Sequence, residues 1–171
     1  MNILSKLVSL LITITLLFSC SSQHMNSKQS AAITAKNIIG NPKYQAICYG
    51  GFREKTRDIE PTIAQLKEDL KILSAMNIKV LRTYNVHNKE VSNLLVAIRQ
   101  LKKEDSNFEM YVMLGAWIDC KNAWTALPPI HNVESDRNAI EIAEAVRLSN
   151  EYPDIIKIIA VGNEAMVKWA A

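Results

Sequence analysis

The chain of 171 residues has little of what specialises a fold. With only 5 glycines and 5 prolines against 49% hydrophobic residues, it is neither collagen-like nor a Pro/Gly-rich disordered chain. Three cysteines are too few for a disulfide scaffold. No CxxC or HxxxH spacing occurs, so no metal site is expected. No GxGxxG or GxxxxGK[ST] segment occurs, so no nucleotide cofactor is expected, and nothing else in the chain calls for one. Charge of one sign is not concentrated anywhere: 20 Lys and Arg against 17 Asp and Glu leave +3. A nucleic-acid binder carries a basic stripe, so nucleic acid is not an expected partner.

Long hydrophobic runs are also absent, since a membrane-spanning helix needs about 20 apolar residues. The longest run, Leu7 to Phe18 (LVSLLITITLLF), follows Lys6 and suits the core of a secretory signal. It leads into Leu17-Phe18-Ser19-Cys20, which resembles the lipobox of bacterial lipoproteins. That resemblance implies a signal peptide over residues 1–19 and acylation of Cys20, with several acyl chains holding the protein to a membrane. The alternative is an ordinary secretory signal and a secreted product. No Asp follows Cys20, so in a Gram-negative host the expected place is the cell envelope at the outer membrane. Residues 20–40 are polar and small, without an apolar period, and read as a flexible tether. The folded domain is expected over 41–171. An oxidising compartment permits a bond between Cys48 and Cys120, but mid-strand Cys48 reads better as a buried core thiol.

Beyond the tether, strand-like and helix-like segments alternate. Ala46 to Gly50 (AICYG), Ile78 to Thr83 (IKVLRT), Met110 to Gly115 (MYVMLG) and Ile155 to Val161 (IIKIIAV) read as strands. Ile59, Ile63, Leu66, Leu70 and Leu73 share one helical face, as do Val91, Leu94, Leu95, Ile98 and Leu101. A third helix is expected from Arg137 to Asn150, capped by Asp136, with Ile142 and Val146 inward. Strands separated by helices predict βαβ units and a parallel sheet, either a barrel sector or an open doubly wound sheet.

In parallel sheets chemistry gathers at the carboxyl ends of the strands. Those ends read Tyr49-Gly50-Gly51-Phe52-Arg53, Arg82-Thr83-Tyr84-Asn85, Gly115-Ala116-Trp117-Ile118-Asp119 and Gly162-Asn163-Glu164. Aromatic rings for the C–H faces of sugars, beside Arg, Asn and carboxylates for hydroxyls, suit a carbohydrate site. His87 and His131 read as exposed loop residues, and Trp124 and Trp169 as packing residues.

Together YGGFR, VLRTYN, VMLGAWI and IAVGNE resemble glycoside hydrolase family 17, the β-1,3-glucanase-like enzymes, over about Ala46 to Lys168. The resemblance implies an α/β fold: the first four β/α units of a (β/α)8 TIM barrel. It implies Glu164 as general acid/base, Asn163 bonding the sugar 2-hydroxyl, and Tyr49, Arg82, Tyr84 and Trp117 lining subsites for a β-glucan polysaccharide or oligosaccharide. The family's nucleophile, a Glu ending strand seven, has no counterpart, and a whole barrel needs about 250 residues. The expectation is therefore an incomplete chain. It acts on glucan with a complementing half-barrel or by self-association, or it persists as an inactive, membrane-tethered glucan-binding remnant.

Overall fold

A computed structural model describes residues 32–167; the expected signal segment, Cys20, His24 and Trp169 lie outside the described residues. A short helix α1 (Ala35–Ile38) forms inside the expected tether. The Asn37 side chain accepts from the Thr34 backbone N–H at 2.9 Å, and Ile38 packs against Val80 and Tyr111. Residues 32–40 thus belong to the folded unit. Two isolated isoleucines, Ile33 and Ile38, make that contact without any periodic pattern.

Then follow β1 (Gln45–Cys48), α2 (Ile63–Ala75), β2 (Ile78–Arg82), α3 (Lys89–Glu104), β3 (Tyr111–Ala116), β4 (Cys120–Lys121), β5 (Ile130–Glu134), α4 (Arg137–Glu151) and β6 (Ile156–Val161). β1, β2, β3 and β6 form one sheet in that order, every pair parallel. The α2 start is written in the sequence: Thr62 Oγ1 accepts from Gln65 N–H at 3.3 Å, and Gln65 Oε1 accepts from Thr62 N–H at 2.9 Å. Ile59 lies ahead of this cap, exposed in the loop, rather than on the helix face. On α3 all five expected residues, Val91 to Leu101, are buried.

Strand alternation divides the sheet into two faces. Leu81, Val112, Leu114, Ala116 and Ile156 meet Leu66 and Leu70 of α2, Leu94 and Ile98 of α3, and Ala145 and Leu148 of α4. Each buried Leu or Ile there contributes about 1.5–3 kcal/mol of transfer free energy. Val80, Tyr111, Met113 and Ile158 point to the opposite face, where Ile38 joins them. All three crossover helices therefore cover one face, and each crossover adds its strand to the same edge. A doubly wound sheet carries helices on both faces. Among the described residues that alternative is excluded.

The structure adds one element to those expected and differs from expectation at α4 and at Cys48. Residues 120–134 form an antiparallel hairpin, β4 with β5, between β3 and α4. Both strands are short and β5 is exposed throughout, so they carry no burial period. Ile142 and Val146 lie outward on α4, and Asn138, Glu141, Ala145 and Leu148 are the buried positions. Two of the four buried positions are polar, so an apolar pattern does not mark the inward face of this helix. Cys48 is exposed and Cys120 buried, both as free thiols.

Candidate active site

The carboxyl ends of β2 and β6 bring one group together. Arg82, the last residue of β2, donates from Nη2 to Asn163 Oδ1 at 2.8 Å and from Nη1 towards Cys48 Sγ at 3.8 Å. Its guanidinium lies 5.3 Å from the centre of the Tyr84 ring. Desolvation, and then the neighbouring Cys48 thiol, push the Tyr84 phenol above its ordinary pKa against the opposing Arg82 charge. Asn163 is nearly buried. With Oδ1 held by Arg82, its Nδ2 remains a hydrogen-bond donor for an incoming acceptor.

The turn after β6 explains how these groups are presented. Gly162 N–H donates to Ala116 O at 2.8 Å, so β6 stays paired with β3 up to the turn. Gly162 then takes φ +82° and Glu164 φ +54°. The second value is uncommon for a residue with a side chain and costs of order 1–3 kcal/mol, a type of strain that concentrates at functional sites. Glu164 is exposed.

Tyr49 lies apart from this group. Its ring is buried on the helix side, and its hydroxyl donates to Asp69 Oδ2 at 2.8 Å. Arg53 Nη2 donates to Asp69 Oδ1 at 2.7 Å and to Gln65 O at 2.9 Å. Desolvation and the Asp69 carboxylate push the Tyr49 phenol far up, which keeps it protonated as a donor. The YGGFR segment thus clamps the β1–α2 loop onto α2. Its next stretch caps α3: Glu60 accepts from Lys89 N–H at 3.1 Å and Glu90 N–H at 2.8 Å, where the helix dipole favours an anion. Buried Glu90 Oε1 in turn accepts from Gly51 N–H at 3.0 Å.

Trp117 belongs to a second group, a pocket of about 290 Å³ lined by Arg57, Asn85, His87, Trp117, Asp119, Trp124, Arg137 and Glu141. Trp117 and Trp124 meet edge to face with ring centres 5.7 Å apart. Trp124 and His87 are thus pocket residues rather than plain packing or loop residues. Exposed His131 lines a separate groove with Asp119, Asn138 and Ala165, the residue after Glu164. The hairpin base is held by Asp119, whose Oδ2 accepts from Arg137 Nη2 at 2.8 Å. Its Oδ1 is buried without a partner among the described residues. Glu141 accepts through Oε1 from Val86 N–H at 2.7 Å and Trp117 N–H at 3.0 Å. Apolar periodicity gives no signal for a buried Glu, so the pattern that defined α4 passed over this residue.

Among the described residues no cluster of three or more metal-ligating side chains occurs. No helix among them is long and apolar enough to cross a membrane.

The chain is similar to a solved endo-laminarinase from Formosa Hel1_33_131. The two share 66% sequence identity with a TM-score of 0.78, over 81% of this chain and 35% of that one. The chain thus spans about a third of the length of that neighbour. No family model matches the chain, and no similar curated protein is found.

Proposed function

We propose that this chain is the strand one-to-four sector of a (β/α)8 glycoside hydrolase of family 17 acting on β-1,3-glucan with retention of configuration. The observation that carries the reading is the end of β6, where Asn163, held by Arg82, adjoins Glu164 in its left-handed backbone. The similarity to an endo-laminarinase supports the substrate class. In this reading Asn163 Nδ2 donates to the sugar 2-hydroxyl. Glu164 protonates the glycosidic oxygen as the bond breaks, then takes a proton from the water or sugar hydroxyl that resolves the intermediate. The nucleophile lies about 5–5.5 Å from the acid/base in retaining enzymes, and we assign it to sequence outside this chain. Trp117 and Tyr84 supply rings for the glucan, and Tyr49 supports the loop behind them.

A second reading is favoured by the sheet face opposite the helices. Ala46, Val80, Met113 and Ile158 line a cavity of about 400 Å³ there, and on the helix side of the sheet edge β6 leaves Ile159 and Val161 exposed. Such a surface suits a complementing half-barrel or a second copy, the chain alone then binding glucan without cleaving it. In either reading acylated Cys20 tethers the domain to the cell envelope.

Incubation of the full chain with laminarin, alone and with the remaining barrel strands supplied as a second chain, tests the proposal. Reducing sugar released by the wild type and abolished in Glu164→Gln supports it. No release under either condition, or release that survives Glu164→Gln, overturns it.

A further inference from the structure

The Trp117–Trp124 pocket is anchored by a side chain from α4 that binds the backbone of its walls. Glu141 projects from α4 with its side chain only 6% exposed. Its Oε1 receives the backbone amides of Val86, from the β2–α3 loop, and of Trp117, from the β3–β4 loop. Its Oε2 lies 3.2 Å from His87 Nδ1. One buried carboxylate therefore joins two loops that no strand pairing connects at that height. A buried carboxyl group is retained only where hydrogen-bond partners satisfy it, and here two backbone amides donate to it with the His87 ring beside them.

The consequence for the pocket is geometric. Trp117 follows Ala116, the last residue of β3, so its amide lies just beyond the strand. Anchoring that amide sets where the indole leaves the backbone. The indole then meets Trp124, in the loop between the hairpin strands, edge to face. His87 and Asn85 reach the same pocket from the other loop. Loss of the carboxylate would leave the buried Val86 amide and the part-buried Trp117 amide unpaired and release both walls together, because unmet buried donors cost more than the net value of their bonds.

We propose that Glu141 is the positioning residue of this pocket, and that the pocket it holds takes one glucosyl ring of the bound glucan against Trp117 and Trp124. The second clause rests on the glucan reading above; the first does not. The ring faces suit the C–H face of a pyranose, and Asn85, His87 and Arg57 in the lining suit its hydroxyls. Glu141 Oε1 is occupied by the two backbone amides, so the positioning role runs through Trp117 and Val86.

Two readouts on the full chain separate these clauses: affinity for a β-1,3-linked gluco-oligosaccharide, and the exciton couplet that an edge-to-face indole pair adds to far-UV circular dichroism. Trp124→Phe identifies the couplet by abolishing it. Glu141→Gln keeps an oxygen for both amides and should retain the couplet and bind within about threefold of wild type. Glu141→Leu offers no acceptor and should lose the couplet and at least about tenfold in affinity, the factor that corresponds to 1.4 kcal/mol. If Glu141→Leu does not fold, Glu141→Asp replaces it, because its shorter reach cannot serve both amides at once. A couplet and an affinity unchanged in Glu141→Leu or Glu141→Asp overturn the positioning role. A wild type that does not bind the oligosaccharide overturns the sugar assignment, and the couplet then decides the positioning role by itself.

Discussion

Replacing Arg82 by alanine removes the group that orients Asn163. The lost contacts are a charge-assisted hydrogen bond of 2.8 Å to Asn163 Oδ1 and a guanidinium 5.3 Å from the Tyr84 ring. A hydrogen bond to a charged group contributes about 1.5–3 kcal/mol, and a partly exposed cation–π contact about 0.5–1 kcal/mol. Only the share that orders the amide and the ring reaches a ligand. The expected loss in affinity for a β-1,3-gluco-oligosaccharide is therefore about tenfold, with a hundredfold as the ceiling set by the full hydrogen bond. Titration calorimetry on wild type, Arg82→Ala, Asn163→Ala and the double variant measures it. Because Arg82 is taken to act through Asn163, the double variant should lose little more than Asn163→Ala. Arg82→Lys should not restore binding, since an ammonium cannot stack on Tyr84 while forking towards Asn163. Additive losses in the double variant, or affinity within twofold of wild type in Arg82→Ala, would refute the reasoning.

Two further outcomes test the scaffold. A Cβ at Gly115 would run into the backbone of Thr83 and Tyr84, and Gly115 N–H donates to Thr83 Oγ1 at 3.0 Å. Gly115→Ala should cost about 1–3 kcal/mol as overpacking, read as a lower denaturation midpoint; an unchanged midpoint contradicts that close approach. Desolvation, then the nearby Glu60 charge, raises the Glu90 carboxyl against the lowering effect of Gly51 N–H. The folded state thus holds this proton to higher pH than the unfolded chain, so ionising Glu90 opposes folding. The penalty is absent below the ordinary carboxylate range and grows as pH rises through the raised folded value. Glu90→Gln, which keeps an acceptor for Gly51, should melt higher than wild type near neutrality and match it in acid; a difference independent of pH would show another cause.

What could be read from the residues follows the reach of local interactions. Thr62-x-x-Gln65 fixes where α2 begins, and Val91, Leu94, Leu95, Ile98 and Leu101 identify the buried face of α3. The continuous apolar run of β3 matches a strand buried on both faces. Each depends on neighbours within one or two turns or along one strand. The β4–β5 hairpin has no such period, with exposed residues throughout β5, and it passed unrecognised.

The candidate site divides in the same way. Asn163 and Glu164 stand out because Gly-Asn-Glu follows an apolar strand, and Arg82 and Tyr84 occupy the equivalent place after β2. Tyr49 occupies that place after β1, yet its side chain turns to Asp69 on α2. A strand end offers two faces, and the choice depends on a partner 20 residues away. Glu141 is the converse case, 55 residues from Val86 and 24 from Trp117, with nothing local to mark its burial.

By itself the sequence determined the order of the four parallel strands and the three crossover helices, and the strand ends where the candidate site residues lie. Those follow from periodicity, caps and the chirality of the chain, which act over short separations. Only the tertiary structure decided that all three helices cover one face, that Tyr49 and Arg53 serve α2, and that Trp124 and His87 join Trp117 around a carboxylate from α4. The physical reason is that a buried polar group must find its donors wherever the fold brings them, and that search leaves no local pattern.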